Sequence, residues 1–182
     1  MSSGEIFGIK EFRTNECWDF TEDGDYNSDM AIMILDRPIP GAKKGVHYVD
    51  TWNAKTTGDV VGRTMTLAGW GSSGVVRDDG SESHMTDSMD TFHRGYNVIN
   101  EIQGNVLALT MDRQENGGLE LEVAGYYGDS GSGGLVEDDD GQMRIAGVCS
   151  HGDGVAWGAY HGYTQVGGYH WDWINANVNS LA

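Results

Sequence analysis

Gly128-Asp129-Ser130-Gly131-Ser132-Gly133 is the stretch on which the reading of this chain turns. It sets a serine hydroxyl among small neighbours that leave room for a substrate backbone and permit the dihedrals of a tight loop. Asp129 adds a carboxylate able to anchor that loop from behind, and the N–H groups of Gly128 and Ser130 are candidates for an oxyanion hole. Ser130 thus reads as a nucleophile. An ordinary Gly/Ser/Asp turn is the competing reading in a chain with 28 glycines, so the flanking sequence has to decide.

Outward from this motif, short apolar stretches recur at 6–12, 31–35, 64–68, 96–102, 106–111, 119–123, 134–136, 143–149 and 163–166, separated by Gly/Asn/Asp/Ser turns. That punctuation predicts an all-β fold, an antiparallel barrel or sandwich of short strands. Residues 103–105 and 137–141 have the composition of hairpin connections. The single helical segment is 169–178, where Trp173, Ile174 and 176–178 can lay an apolar stripe on the domain. The polar stretches 43–62 and 71–91 read as surface loops.

The bulk composition narrows the function. A chain of 182 residues is long enough to bury a core without disulfides or metal. Its formal charge of −17, with 28 acids against 11 Lys and Arg, argues against nucleic acid, because phosphate binding needs a basic surface. No apolar run is long enough for a membrane span, and the opening residues show neither a basic start nor an apolar signal core. Cys17 and Cys149 are too few for a disulfide framework, and free thiols are the default reading.

Three further segments stand in a fixed order around the serine motif. Ser28-Asp29-Met30-Ala31-Ile32-Met33-Ile34-Leu35 puts an acid just before an apolar strand. Leu67-Ala68-Gly69-Trp70-Gly71 ends a strand in a Gly-Trp-Gly turn, and Gly162-Tyr163-Thr164-Gln165-Val166 leads to a terminal helix. The ordered set resembles the chymotrypsin/trypsin-like serine proteases, over most of the chain from about residue 6 to residue 178. The resemblance implies a trypsin-like fold of two antiparallel barrels with a C-terminal helix, and serine endopeptidase chemistry through an acyl-enzyme. It implies Ser130 as nucleophile, Asp29 as the acid that orients the catalytic imidazole, and an oxyanion hole from the N–H groups of Gly128 and Ser130. Ala124 and Gly125 fall at the base of the specificity pocket, and Ser150, His151 and Gly152 along its wall. Protein or peptide is the substrate, no cofactor or metal is needed, and an extracellular setting follows by family analogy.

The departures are equally specific. In the family the histidine precedes the acid, yet all six histidines, His47, His84, His93, His151, His161 and His170, follow Asp29. The histidine base is therefore not found. Only two strands of the first barrel are legible, so 1–62 reads as a remnant of the N-terminal barrel plus linker. Residues 63–182 read as the complete C-terminal barrel and helix. The expectation is a C-terminal part of a longer protease, inactive or nearly so by itself, with a catalytically dead binding or scaffold protein as the alternative. No carboxylate sits at the pocket base, which disfavours Arg/Lys preference. Tyr126 replaces a cysteine and Gly133 the motif's proline, while His161 is a further candidate beside the pocket against a purely structural role.

Asp23, Asp25, Asn27 and Asp29 alternate like a calcium loop. Ser28 and Ile34 stand where an EF-hand needs glycine and glutamate, so a solvated turn is the favoured reading. The acidic run 137–140 reads as a charged hairpin tip.

Overall fold

Six of the short apolar stretches close on one another into a barrel. The computed structural model describes residues 5–18, 26–40, 60–79 and 91–179. Within these, β1 (Ile9–Thr14) pairs with β2 (Ala31–Leu35) in a separate two-stranded antiparallel sheet. The barrel comprises β3 (Thr64–Gly69), β4 (His93–Gln103), β5 (Val106–Thr110), β6 (Gly133–Glu137), β7 (Met143–Gly152) and β8 (Tyr160–Gln165), in the order β3-β4-β5-β8-β7-β6. All of its pairings are antiparallel. Helix α1 (Tyr169–Asn179) follows β8.

Strand alternation explains the core. Met65, Leu67, Ile99, Leu107, Leu109, Val136, Ala146 and Tyr163 meet inside the barrel, joined by Val60 from the segment leading into β3. Closure leaves no sheet edge open, so every strand finds partners on both sides. The β4–β5 hairpin turns at Gly104 and Asn105, and the β6–β7 hairpin at the acidic tip, as the turn residues predict. At that tip Asp138 accepts the N–H groups of Asp140 and Gln142 and pairs with Arg144 at 2.6 Å. These bonds hold its carboxyl below the usual range, the Gln142 N–H contributing most.

One expected strand is absent. Residues 119–123 run as a turn, tied to β4 by an isolated bridge between Tyr96 and Glu122, by backbone bonds of Tyr96 with Leu121 and Val123, and by a bond from Asn97 Nδ2 to the Val123 carbonyl. The cause is local: the Glu122 carboxylate accepts the N–H groups of Asp112 and Leu119, and Glu122 N–H donates to the Leu119 carbonyl. A chain folded onto itself in this way has no extended ladder to offer.

The β1–β2 sheet is built differently. Ile9, Phe12 and Met33 are each more than half exposed, and the sheet is attached to the barrel through polar contacts at its ends. Arg13 donates to the Asn177 carbonyl near the end of α1 at 2.6 Å, and Trp173 Nε1 donates to Glu16 at 2.9 Å. Asn15, buried, donates its N–H to the Met30 carbonyl just before β2. Cys17 is exposed and Cys149 half-buried, and no disulfide joins them. Most of the expected 43–62 loop, part of the 71–91 loop, and Asp23 and Asp25 of the calcium-like pattern lie outside the described residues.

Candidate active site

The serine motif forms a turn between two glycines of positive φ, Gly128 at 92° and Gly131 at 86°. A side chain at either position would be strained, so glycine is required by the turn itself. β7 brackets the loop: Gly131 N–H donates to the Cys149 carbonyl and Cys149 N–H donates to the Ser132 carbonyl, both at 2.9 Å. Ser130 is left exposed at the apex. Its hydroxyl makes no hydrogen bond among the described residues, and neither do the N–H groups of Gly128 and Ser130.

Asp129 fixes the loop from behind. One carboxylate oxygen accepts Gly71 N–H at 2.9 Å and the other accepts Tyr126 N–H at 3.0 Å. Charge-assisted bonds to two separate segments tie the serine turn to the end of β3 and to the chain entering the motif. The Gly-Trp-Gly turn exists in this form because the carboxylate occupies the space a side chain would need. A Cβ at Gly71 would stand 2.6 Å from the Asp129 Cγ, and one at Gly69 would collide with Oδ1. The sequence marked Gly-Trp-Gly as a motif but not this purpose, since nothing local to it names its partner.

Asp29 sits after a short 3-10 turn, Tyr26–Ser28. Ser150 on β7 donates its hydroxyl to Asp29 Oδ2 at 2.7 Å, and His151 Nδ1 lies 3.2 Å from the same hydroxyl. The His151 ring stacks on Tyr26, with centroids 4.1 Å apart and planes at 17°, and Tyr160 closes its other surroundings at 5.5 Å. Burial pushes the His151 pKa down, against the opposing pull of Asp29 and Asp153. Asp29 and the Ser150–His151 segment of β7, distant in sequence, are thus one hydrogen-bonded group. Tyr26 was not among the residues singled out from sequence, because an aromatic residue in a polar turn gives no hint of a stacking partner 125 positions later.

The five residues read as a specificity pocket divide between two places. Ala124 and Gly125 line a cavity of 330 Å³, together with Gly71, Ser72, Glu122 and Asp129 among others. Ser150, His151 and Gly152 stand outside its lining, on the Asp29 side of β7. At the cavity's back, the Cys149 thiol bonds with Tyr163 and Ser132, and burial is the main cause that pushes it up. Burial likewise drives the Tyr163 hydroxyl well above its ordinary value. A buried, protonated thiol is a packing group, not a nucleophile.

Four of the six histidines are described, and none hydrogen-bonds Ser130 or Asp29. His93 is exposed at the start of β4. His161 is 3% exposed on β8, beside Gly152, and burial lowers its pKa, partly offset by Asp153 and the Gly154 backbone. Its Nε2 has no hydrogen-bond partner. His170 is fully buried on α1. His47 and His84 lie outside the described residues. Among the described residues no three His, Cys, Asp or Glu side chains cluster to hold a metal ion. No helix there is long and apolar enough to cross a membrane.

A family model, Trypsin, matches residues 3–174. The chain belongs to the trypsin family. No curated protein matches it. The match runs across the β1–β2 sheet, the closed barrel and into α1, so trypsin-like describes the fold as a whole. Membership places the protein with the serine peptidases, hydrolases whose substrates are proteins.

Proposed function

We propose that this protein is a serine endopeptidase in which Ser130 attacks the scissile carbonyl and Asp29 orients the imidazole that takes its proton. The Gly128 and Ser130 N–H groups receive the oxyanion. Ala124, Gly125, Ser150, His151 and Gly152 contact the residue preceding the cleaved bond. The substrate is a protein or peptide outside the cell, and neither metal nor cofactor takes part. The observation that carries this reading is the serine turn itself. An exposed hydroxyl stands beside two unspent N–H groups, on a loop that Asp129 and β7 hold in place. Donors fixed before the reaction and not engaged elsewhere are what developing negative charge requires.

Proton transfer sets the condition for turnover. The Ser150 hydroxyl takes one oxygen of Asp29 and leaves the other for a ring N–H. The base must arrive on that side, from polypeptide outside the described residues. Without it, catalysis falls to what the oxyanion hole and binding contribute, a residual rate several orders of magnitude below that of a complete triad. Division at residues 62/63 follows the same logic, with the acid on the first part and the nucleophile on the barrel.

A fluorophosphonate probe tests the reading, because it reports nucleophilicity at one atom. Labelling should map to Ser130, disappear in Ser130→Ala, and quicken when imidazole is added to the medium. A folded protein that stays unlabelled under all of these conditions would sink the proposal. The second reading, a protease-like binding protein without catalysis, is favoured by the lack of any imidazole on Asp29 among the described residues. It predicts no labelling with or without imidazole.

A further inference from the structure

The cavity beside the serine turn does not reach the serine itself. Ala124, Gly125 and Asp129 stand in its lining, but Gly128, Ser130 and residues 150–152 do not. It therefore adjoins the turn without exposing the reacting atoms. At 330 Å³ it is large enough for a guest, at the lower end of the roughly 300–1,000 Å³ of small-molecule sites. One side of it is a strap, residues 71–78, that leaves the end of β3, and residues 71–76 are part of the lining.

Both ends of the strap are pinned. Gly71 N–H donates to Asp129 at 2.9 Å, and Ser72 N–H donates to the Tyr127 carbonyl at 2.8 Å. At the far end Trp157 Nε1 donates to the Arg77 carbonyl at 3.0 Å, Arg113 donates to the Asp78 carbonyl, and the Arg113 guanidinium lies over the Trp157 ring. Tyr127 and Asp129 are the chain neighbours of Gly128. Whatever shifts the strap therefore pulls on both sides of a proposed oxyanion donor.

The lining decides what kind of guest fits. Leu67, Met111, Val123, Val155 and Trp157 give apolar walls, of the sort that accept small aromatic molecules. The carboxylates are already engaged: Asp129 accepts the Gly71 and Tyr126 N–H groups, and Glu122 those of Asp112 and Leu119. His93 and Arg94 are exposed to water. A charged guest would give up its hydration without meeting a free counter-charge inside. The Ser72 hydroxyl, by contrast, is available. Ser72 is 8% exposed and lines the cavity, and its hydroxyl makes no hydrogen bond among the described residues, so it can donate or accept one from a guest. We infer that the cavity is a binding site for a small uncharged aromatic molecule with one hydrogen-bonding group, and that its guest acts on the serine turn through the strap. Binding is independent of the reading of Ser130 as nucleophile; the effect on reactivity rests on that reading.

The test is an NMR titration of the whole chain at neutral pH with three probes that share one ring: benzyl alcohol, benzylammonium and benzoate. Benzyl alcohol should shift the Ser72 and Val76 amides saturably at about millimolar concentration, and each ion should bind at least about tenfold more weakly. Ser72→Ala should weaken benzyl alcohol about fivefold and leave toluene unchanged. Val76→Phe, which adds bulk to the lining, should abolish the response. The site is overturned by the absence of a saturable shift, by an ion that binds as well as the alcohol, by unchanged affinity in Ser72→Ala, or by a folded Val76→Phe that still binds. If Val76→Phe does not fold, the charge series and Ser72→Ala decide. Coupling is read at the Gly128 and Ser130 amides, which should shift in step with Ser72; if they stand still, the strap transmits nothing and that part falls. Fluorophosphonate labelling of Ser130 should change in rate to a plateau as benzyl alcohol saturates, whereas simple competition would make the cavity the substrate's own pocket and overturn the inference. A chain that binds the alcohol but never labels refutes the endopeptidase and keeps the site; labelling without saturable binding does the reverse.

Discussion

The closed barrel and the β1–β2 sheet carry the two halves of the proposed site and are stabilised in opposite ways. In the barrel, closure satisfies both edges of each strand, and Met65, Ile99, Leu107 and Leu109 are fully buried. In the two-stranded sheet, Phe12 and Met33 stand more than half exposed, and attachment depends on Arg13, Glu16 and the turn before Asp29. The proposed nucleophile is therefore held by contacts from the barrel and the chain entering its loop. The proposed acid precedes a strand of a two-stranded sheet, which depends on other elements for its stability. The lesson is that the bonds holding the Ser130 loop come from the barrel and its own entering chain, while Asp29 is held through contacts between the first sheet, the Tyr26–Ser28 turn, the barrel and α1.

The sharpest way to break this comparison is to remove one large apolar side chain from each region. Leu109→Ala should lower stability by about 2–5 kcal/mol, the range for emptying a packed core position. Phe12→Ala, at an exposed position, should stay within about 0.5 kcal/mol. Urea denaturation of both variants measures the contrast, and similar losses would show that the sheet has a core of its own. Next in size is Gly71→Ala, which drives a Cβ against the Asp129 carboxylate and should cost about 1–3 kcal/mol. Its diagnostic consequence is slower Ser130 labelling with the barrel still folded. An unchanged labelling rate would detach Asp129 from the nucleophile's geometry.

A smaller effect is expected where the regions touch. Ser150→Ala removes the hydroxyl on Asp29 and should cost about 1–2 kcal/mol. Hydrogen exchange should quicken across residues 26–35 while β4 and β5 keep their protection. Uniform loss of protection would mean that the two regions open together. Smallest and most gradual is the response to acid. Burial lowers the pKa of His151, His161 and His170 from the ordinary 6.5. The unfolded chain therefore takes up these protons first, so their contribution is fully present above about pH 6.5 and is lost as pH falls through the depressed folded values. Relief of the −17 charge acts in the opposite sense, so the contribution is read as a difference. His161→Gln should flatten the decline of Tm between pH 7 and 5 relative to the parent, and a parallel decline would assign it to other groups.

Much of the barrel was legible in the sequence because its cues are local. Alternating apolar residues and Gly-Asn or acidic turns sit next to the strands they delimit, and six strands and α1 fell near where they were expected. Residues 119–123 misled because their apolar content suits a strand, whereas Glu122 folds the segment back by bonding Asp112 and Leu119. Side-chain-to-backbone competition of that sort leaves no mark in hydrophobic periodicity. The candidate site was legible as residue types in order: Ser130 between its glycines, Asp29 before its strand, Gly-Trp-Gly between them. How they are joined was not.

The sequence by itself determined the all-β barrel with a terminal helix, the family, the serine turn, and the want of any histidine ahead of Asp29, because each is written in neighbouring residues. Only the tertiary structure decided that Asp129 docks on Gly71 and Tyr126, that Ser150 and His151 share a hydrogen-bonded group with Asp29, and that Tyr26 stacks on His151. Those are contacts between residues far apart in the chain. Barrel closure and the docking of α1 select them, and no local propensity encodes which distant group a buried polar atom will meet.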